Sequence, residues 1–140
     1  MLKKIRQTIE GKKVLILGFG REGRSSLRLV CKAGGWETLA VSDLREVDPS
    51  KEAGGNRIDL YTGEHYMDKE LLDSFDIVFK TPGIVLPEDP GAYQCRFVSQ
   101  TELFIERFRE QIVGITGTKG KSTTSSLLYH ILKETGEDTV

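Results

Sequence analysis

A glycine-rich hexapeptide constrains the fold of this chain more than any other feature. Residues 13–18 form an apolar run bounded by glycines, which predicts a β-strand. Residues 24–33 repeat apolar side chains at helical spacing. Residues 18–23, between them, read Gly-Phe-Gly-Arg-Glu-Gly and fit the pattern G-x-G-x-x-G. A strand, this loop and a helix in that order are typical of a βαβ unit with parallel strands.

Strand-like and helix-like segments alternate along the rest of the chain. We predict further strands at residues 38–42, 58–61, 76–80, 96–98 and 111–116, and helices near residues 2–9, 67–72, 101–108 and 125–133. A polar, glycine-rich loop is expected over residues 48–56. This alternation predicts an α/β fold with a Rossmann-like, doubly wound, mostly parallel sheet. Ligands of such sheets bind at the carboxyl ends of the strands.

The end of the second predicted strand carries a candidate ligand residue. Asp43 lies 43 − 23 = 20 positions after Gly23, where a carboxylate often hydrogen-bonds ribose hydroxyls. Arg45 would suit an additional phosphate, either the 2′-phosphate of NADP or the diphosphate of another nucleotide. Taken alone, this first loop indicates a dehydrogenase. The alternative is a well-packed turn that holds no ligand.

A second glycine loop occurs at residues 116–123, which read Thr-Gly-Thr-Lys-Gly-Lys-Ser-Thr. It follows an apolar run and precedes a helix-like stretch, as in a phosphate-binding loop. Backbone N–H groups of such a loop bind polyphosphate, Lys121 would reach the outer phosphates and the Ser122 hydroxyl would bind Mg²⁺. The general signature would place a glycine at position 115, which is Ile115 here. The alternative is a strand-to-helix turn without a ligand.

Composition excludes several function classes. The 140 residues include 20 basic and 21 acidic side chains, so no basic excess favours nucleic acid. The apolar runs are strand-sized, whereas a membrane span needs about 20 residues. No signal peptide is evident, and Cys31 and Cys95 are expected to be reduced. We therefore expect a cytoplasmic globular protein without nucleic-acid or membrane partners.

The motifs together resemble the Mur ligase family, which builds the peptide stem of bacterial peptidoglycan. Residues 114–124 resemble its ATP loop, and residues 16–25, 42–45, 80–84 and 101–104 follow in that family's order. Within the family, residues 81–84 resemble most the branch that adds D-glutamate to UDP-N-acetylmuramoyl-L-alanine. The branch that adds L-alanine is the nearest alternative.

The resemblance implies a role for each matched position. The residues implied to bind the UDP part of the substrate are Gly20, Arg21, Glu22, Asp43, Leu44, Arg45, Thr81, Pro82 and Gly83. The residues implied to bind ATP are Gly117, Thr118, Lys119, Gly120, Lys121, Ser122 and Thr123, with Lys121 catalytic and Ser122 a ligand of Mg²⁺. Lys119 departs from the asparagine of many family members, and Arg21 and Glu22 are bulkier and more charged than usual.

The resemblance also implies the domain organisation and the reaction. Residues 1–98 would form the UDP-sugar-binding domain, and residues 99–140 the beginning of a central ATP-binding domain. ATP would phosphorylate the L-alanine carboxylate, and the amine of D-glutamate would displace phosphate from the acyl phosphate. Because the rest of the ATP domain and the D-glutamate domain are missing, we expect these 140 residues to be inactive as a ligase. The remaining alternatives are part of an NAD(P)-binding oxidoreductase and a non-catalytic nucleotide sensor.

Overall fold

The computed structural model describes residues 2–139, which divide into two compact units between Arg109 and Glu110. The first unit contains the helices α1 (Leu2–Ile9), α2 (Arg21–Ala33), α3 (Ser50–Ala53), α4 (Lys69–Asp73) and α5 (Gln100–Phe108) and the strands β1 (Lys13–Leu17), β2 (Thr38–Asp43), β3 (Asp59–Thr62), β4 (Ile77–Lys80) and β5 (Arg96–Val98). The second unit contains α6 (Lys121–Glu134). None of the described helices has the length and apolar character needed to cross a membrane.

All five strands pair in parallel in the order β3-β2-β1-β4-β5. The chain leaves β1 toward one edge through β2 and β3, and then returns to the other side of β1 as β4. The strand order therefore reverses between β1 and β4, and a crevice opens there at the carboxyl ends of the strands. This arrangement confirms the predicted α/β fold with a Rossmann-like parallel sheet.

Both faces of the sheet are covered because the side chains of β1 alternate between two apolar clusters. Val14 and Ile16 pack with side chains of α1, α2 and α5. Leu15 and Leu17 pack on the opposite face with Leu72 of α4 and its neighbours. Helices on both faces explain why the four residues are all fully buried and why β1 is a continuous apolar run.

Helix α5 belongs to the first unit. Leu103 is buried in the same cluster as Ile5 and Ile9 of α1. The helix begins with a capping box in which Ser99 accepts from the Glu102 N–H at 3.0 Å and the Glu102 carboxylate accepts from the Ser99 N–H at 3.4 Å. The compact unit thus extends to Arg109, beyond residue 98.

Two sequence predictions about local structure were wrong. The expected strand at residues 111–116 is not formed, and a 3₁₀ turn at Arg109–Gln111 leads instead into irregular backbone. A strand needs a neighbour for its N–H and C=O groups, and no described strand lies beside this segment. The expected loop at residues 48–56 contains the short helix α3, which packs against α2.

Candidate functional site at the carboxyl edge of the sheet

Two of the three glycines in the loop that follows β1 have a steric reason, and the third has none. Gly18 has a φ of +87°, which favours glycine. A Cβ atom on Gly23 would lie 1.9 Å from the Gly18 carbonyl oxygen, so the close packing of α2 on β1 requires glycine there. A Cβ on Gly20 would meet no atom within 4 Å, and its φ of −73° suits any residue. The protein's own packing therefore does not explain Gly20.

The first turn of α2 presents unused hydrogen-bond donors beside Gly20. The Arg24 N–H donates to the Gly20 carbonyl at 3.0 Å, as the first bond of the helix. The N–H groups of Arg21, Glu22 and Gly23 precede it and have no acceptor within the helix. Gly20 caps the helix without a side-chain hydrogen bond. A helix start of this kind can bind an anion such as a phosphate group. Arg21 and Glu22 are both exposed at its rim.

Asp43 joins the glycine loop to the end of β2. One carboxylate oxygen accepts from the buried Phe19 N–H at 2.7 Å, and the other accepts from the Arg45 N–H at 2.9 Å. The residue is only 8% exposed. The carboxylate expected to bind ribose or uracil thus already holds two loops together. Each oxygen retains a second acceptor position, so a ligand contact can be added.

The two residues after Asp43 are exposed at this edge. Leu44 is 56% exposed, so its apolar side chain is open to solvent. The Arg45 side chain extends into solvent, with its Nε 3.8 Å from an Asp43 oxygen. An apolar surface and a cation side by side can contact a base and a phosphate.

The turn after β4 lies directly against the glycine loop. A Cβ on Gly18 would be 2.6 Å from both the Thr81 hydroxyl oxygen and the Ile84 Cδ1 atom. The Thr81 N–H donates to the Leu17 carbonyl at 3.2 Å. Thr81, Pro82 and Gly83 are therefore brought together with residues 18–23 at the crevice between β1 and β4.

Sequence reasoning missed several contacts that shape this site. The Arg24 guanidinium lies 4.6 Å from the centre of the Phe19 ring and 3.2 Å from the Glu52 carboxylate. Glu52 is 8% exposed and lies on α3, the helix that was expected to be a loop. The contact of Ile84 with Gly18 was also missed. A buried glutamate in a polar stretch gives no local signal, because its partners lie elsewhere in the chain.

The second unit contains the other glycine loop. Gly117 and Gly120 have φ angles of +149° and +79°, and Gly120 is the N-cap of α6 without a side-chain hydrogen bond. The Lys121 Nζ donates to the Gly117 carbonyl at 2.5 Å, so the lysine side chain folds back over its own loop. The N–H groups of Lys121, Ser122 and Thr123 precede the first helical bond, from Thr124 to Gly120. Thr118, Lys119 and Ser122 are exposed within this loop.

Comparison with curated proteins gives relatives over nearly the whole chain. The UDP-N-acetylmuramoylalanine–D-glutamate ligase of Clostridium botulinum (strain Hall) is 35% identical over 142 aligned residues, which cover 95% of this chain and 30% of that protein. The chain is a homologue of these ligases. The enzyme of the same name from Ligilactobacillus salivarius (strain UCC118) is 34% identical, over 94% of this chain and 29% of that protein.

The resemblance to Mur ligases that the motifs indicate is therefore confirmed. The chain spans about 30% of the length of the ligases it matches. No protein-family model matches the chain. No solved structure matches it either. The roles of the individual site residues stay predictions.

Proposed function

We propose that the first unit binds the uridine diphosphate part of UDP-N-acetylmuramoyl-L-alanine at the carboxyl edge of the sheet. The observation that carries the proposal is the open position of Gly20 next to the unused N–H groups of α2. A methyl group fits there in the free protein, so glycine is explained by the close approach of a ligand. The homologous ligases act on a UDP-linked substrate, as their name states.

The charge and shape of the edge suggest how the nucleotide lies. The diphosphate would bind at the start of α2, where backbone N–H groups and the helix dipole favour negative charge. Leu44 and Arg45 would contact the uracil and a phosphate, while Thr81, Pro82 and Gly83 close the opposite side of the crevice. Asp43 would accept one further hydrogen bond from the nucleotide while it holds the Phe19 N–H in place.

We propose that the second glycine loop belongs to the ATP site of the whole ligase. Lys121 already lies over the loop, with its ammonium group on the Gly117 carbonyl, from where it can turn to an outer phosphate of ATP. The free N–H groups at the start of α6 would hold the phosphates. Mg²⁺ commonly takes one or two protein oxygens together with phosphate oxygens, and the Ser122 hydroxyl fits that pattern. The ion would supply charge neutralisation on the transferred phosphoryl group.

In the whole ligase, the reaction proceeds through activation of the substrate carboxylate. The L-alanine carboxylate attacks the terminal phosphorus of ATP, and ADP leaves. The amine of D-glutamate then attacks the acyl carbon and releases a proton, an amide bond forms, and phosphate leaves with the electron pair of the broken C–O bond. Lys121 would stabilise the charge on the transferred phosphoryl group.

Titration calorimetry with UDP and with NADP tests the nucleotide assignment. We expect UDP to bind more tightly than NADP, because the homologous ligases act on a UDP-linked substrate. Arg45→Met should weaken UDP binding by about tenfold, the size of a lost charge-assisted hydrogen bond. Arg57→Met is the matched control, because Arg57 is also exposed and lies 3.6 Å from the Asp59 carboxylate. Tighter binding of NADP would instead support the oxidoreductase alternative.

A second assay tests the proposal that these 140 residues do not complete the reaction. We expect no release of phosphate when the chain is mixed with UDP-N-acetylmuramoyl-L-alanine, ATP, Mg²⁺ and D-glutamate. Release that depends on D-glutamate would refute the proposal.

A further inference from the structure

Lys80, the last residue of β4, closes the turn that follows it. Its ammonium group donates to the Ile84 carbonyl at 2.8 Å and to the Thr81 carbonyl at 3.3 Å. The Ile84 N–H also donates to the Thr81 carbonyl, at 3.1 Å. The two ends of the turn at residues 81–84 are thus joined by one backbone bond and by a lysine that spans them.

The closed turn sets the distance between the two halves of the crevice. Ile84 and the Thr81 hydroxyl both occupy the space next to Gly18, where an added Cβ would lie 2.6 Å from each. If Ile84 moved away from Thr81, the turn would lose this contact with the glycine loop. The position of the turn over residues 18–23 therefore depends on the bonds that close it.

The acceptors around Lys80 are neutral carbonyl groups. Among the described residues, the ion pairs of 4.0 Å or less do not include Lys80. An exposed lysine at the end of a strand usually keeps its ammonium group in water, without bonds to two main-chain oxygens. Here the side chain is partly buried, and its hydrogen bonds replace contacts with water.

We infer that Lys80 is a positioning residue of the nucleotide site, which holds the turn at residues 81–84 closed against the glycine loop. The inference rests on the proposed binding of UDP at this edge. Lys80 would act through Thr81, Pro82 and Gly83, and would not contact the nucleotide. Its ammonium group supplies two hydrogen bonds that no apolar side chain of similar length can make.

The test compares Lys80→Met and Lys80→Arg in the 140-residue chain, with Lys32→Met as the control on the exposed end of α2. Hydrogen exchange of the Ile84 amide, followed by NMR, reports closure of the turn with or without a ligand. Calorimetry with UDP and with uridine reports binding. We expect Lys80→Met to speed Ile84 exchange and to weaken UDP binding, each by about five- to tenfold. Lys80→Arg should restore both to within about twofold, and Lys32→Met should change neither.

Several results would overturn the inference, and they can be told apart. If the wild-type chain binds no UDP, the proposed function fails and the inference fails with it. If wild-type binds UDP and Lys80→Met binds it equally well, the inference alone fails. A loss for UDP that leaves uridine binding unchanged would make Lys80 a direct phosphate contact. A loss that Lys80→Arg does not restore, or that accompanies general unfolding, would make its role merely structural.

Discussion

Alanine at Gly20 and at Gly23 should separate nucleotide binding from folding. At Gly23 the new methyl carbon would lie 1.9 Å from the Gly18 carbonyl oxygen and 2.9 Å from its carbon, both main-chain atoms. Relief of that overlap requires α2 to move away from β1. Overpacking of this kind lowers the free energy of unfolding by about 3 kcal/mol, and the better helix propensity of alanine offsets about 1 kcal/mol of that loss. We therefore expect Gly23→Ala to lower the free energy of unfolding by about 2 kcal/mol.

Gly20→Ala should leave the fold nearly unchanged. The methyl group meets no atom within 4 Å, and the φ of −73° suits alanine. Alanine reduces the conformational freedom of the unfolded chain, which raises the free energy of unfolding by about 0.4–1 kcal/mol. Alanine is also a worse N-cap than glycine, and this lowers the free energy of unfolding by a similar amount. The net change should be within about 0.5 kcal/mol. UDP binding should nevertheless weaken at least about tenfold, because the methyl group occupies the approach of the diphosphate.

The assay is urea unfolding followed by circular dichroism, combined with calorimetry of UDP on each variant. The predicted pattern is a stable Gly20→Ala that binds poorly and a Gly23→Ala that is destabilised. UDP binding of Gly20→Ala equal to that of wild-type would refute the explanation of Gly20. Equal destabilisation by both substitutions would refute the steric reasoning.

Three further predictions concern the site and the two apolar clusters of the first unit. Asp43→Asn turns one acceptor into a donor facing the Phe19 or the Arg45 N–H, and we expect a loss of about 1–3 kcal/mol in urea unfolding together with weaker UDP binding. Burial raises the pKa of the Cys95 thiol to about 11 from 9.0. The neutral, buried thiol should therefore contribute fully to the free energy of unfolding below pH 9, and this contribution should be lost as the pH rises through 11. At pH 8.5 the thiol should react with a disulfide reagent at least about tenfold more slowly than a cysteine in a short peptide, and Cys95→Ser identifies its signal. Leu103→Ala should cost about 2–5 kcal/mol if α5 is part of the first unit, whereas an unchanged unfolding curve would contradict that assignment.

The sequence predicts the sheet well because β1 is an apolar run, β2 has an apolar centre at residues 39–41, and one helix-like segment separates them. In these elements the structure that the local sequence pattern favours is also the one that buries the apolar side chains in the fold. The strand expected at residues 111–116 shows the limit of such patterns, because a strand depends on a neighbour that the pattern does not include. Helix α3 was missed for the opposite reason: a four-residue helix in a polar stretch has too few residues to show a period.

The candidate site was predictable in its location and less so in its contacts. The glycine pattern and Asp43 correctly place residues at the carboxyl edge, since parallel strands bring their ends together. The sequence does not reveal that the Asp43 carboxylate holds the Phe19 N–H, or that Lys80 closes the next turn. Such bonds depend on side-chain geometry between strands that are far apart in the chain.

Amide NMR during a titration with UDP tests the central claim most directly. We expect the largest shift changes in residues 18–24, 43–45 and 81–84, which surround the crevice between β1 and β4. The amino edge of the sheet serves as the internal comparison, where a cavity of about 250 Å³ is lined by Trp36, Arg57 and Asp59 among others. Shift changes confined to that cavity, or no saturable change anywhere, would contradict nucleotide binding at the carboxyl edge.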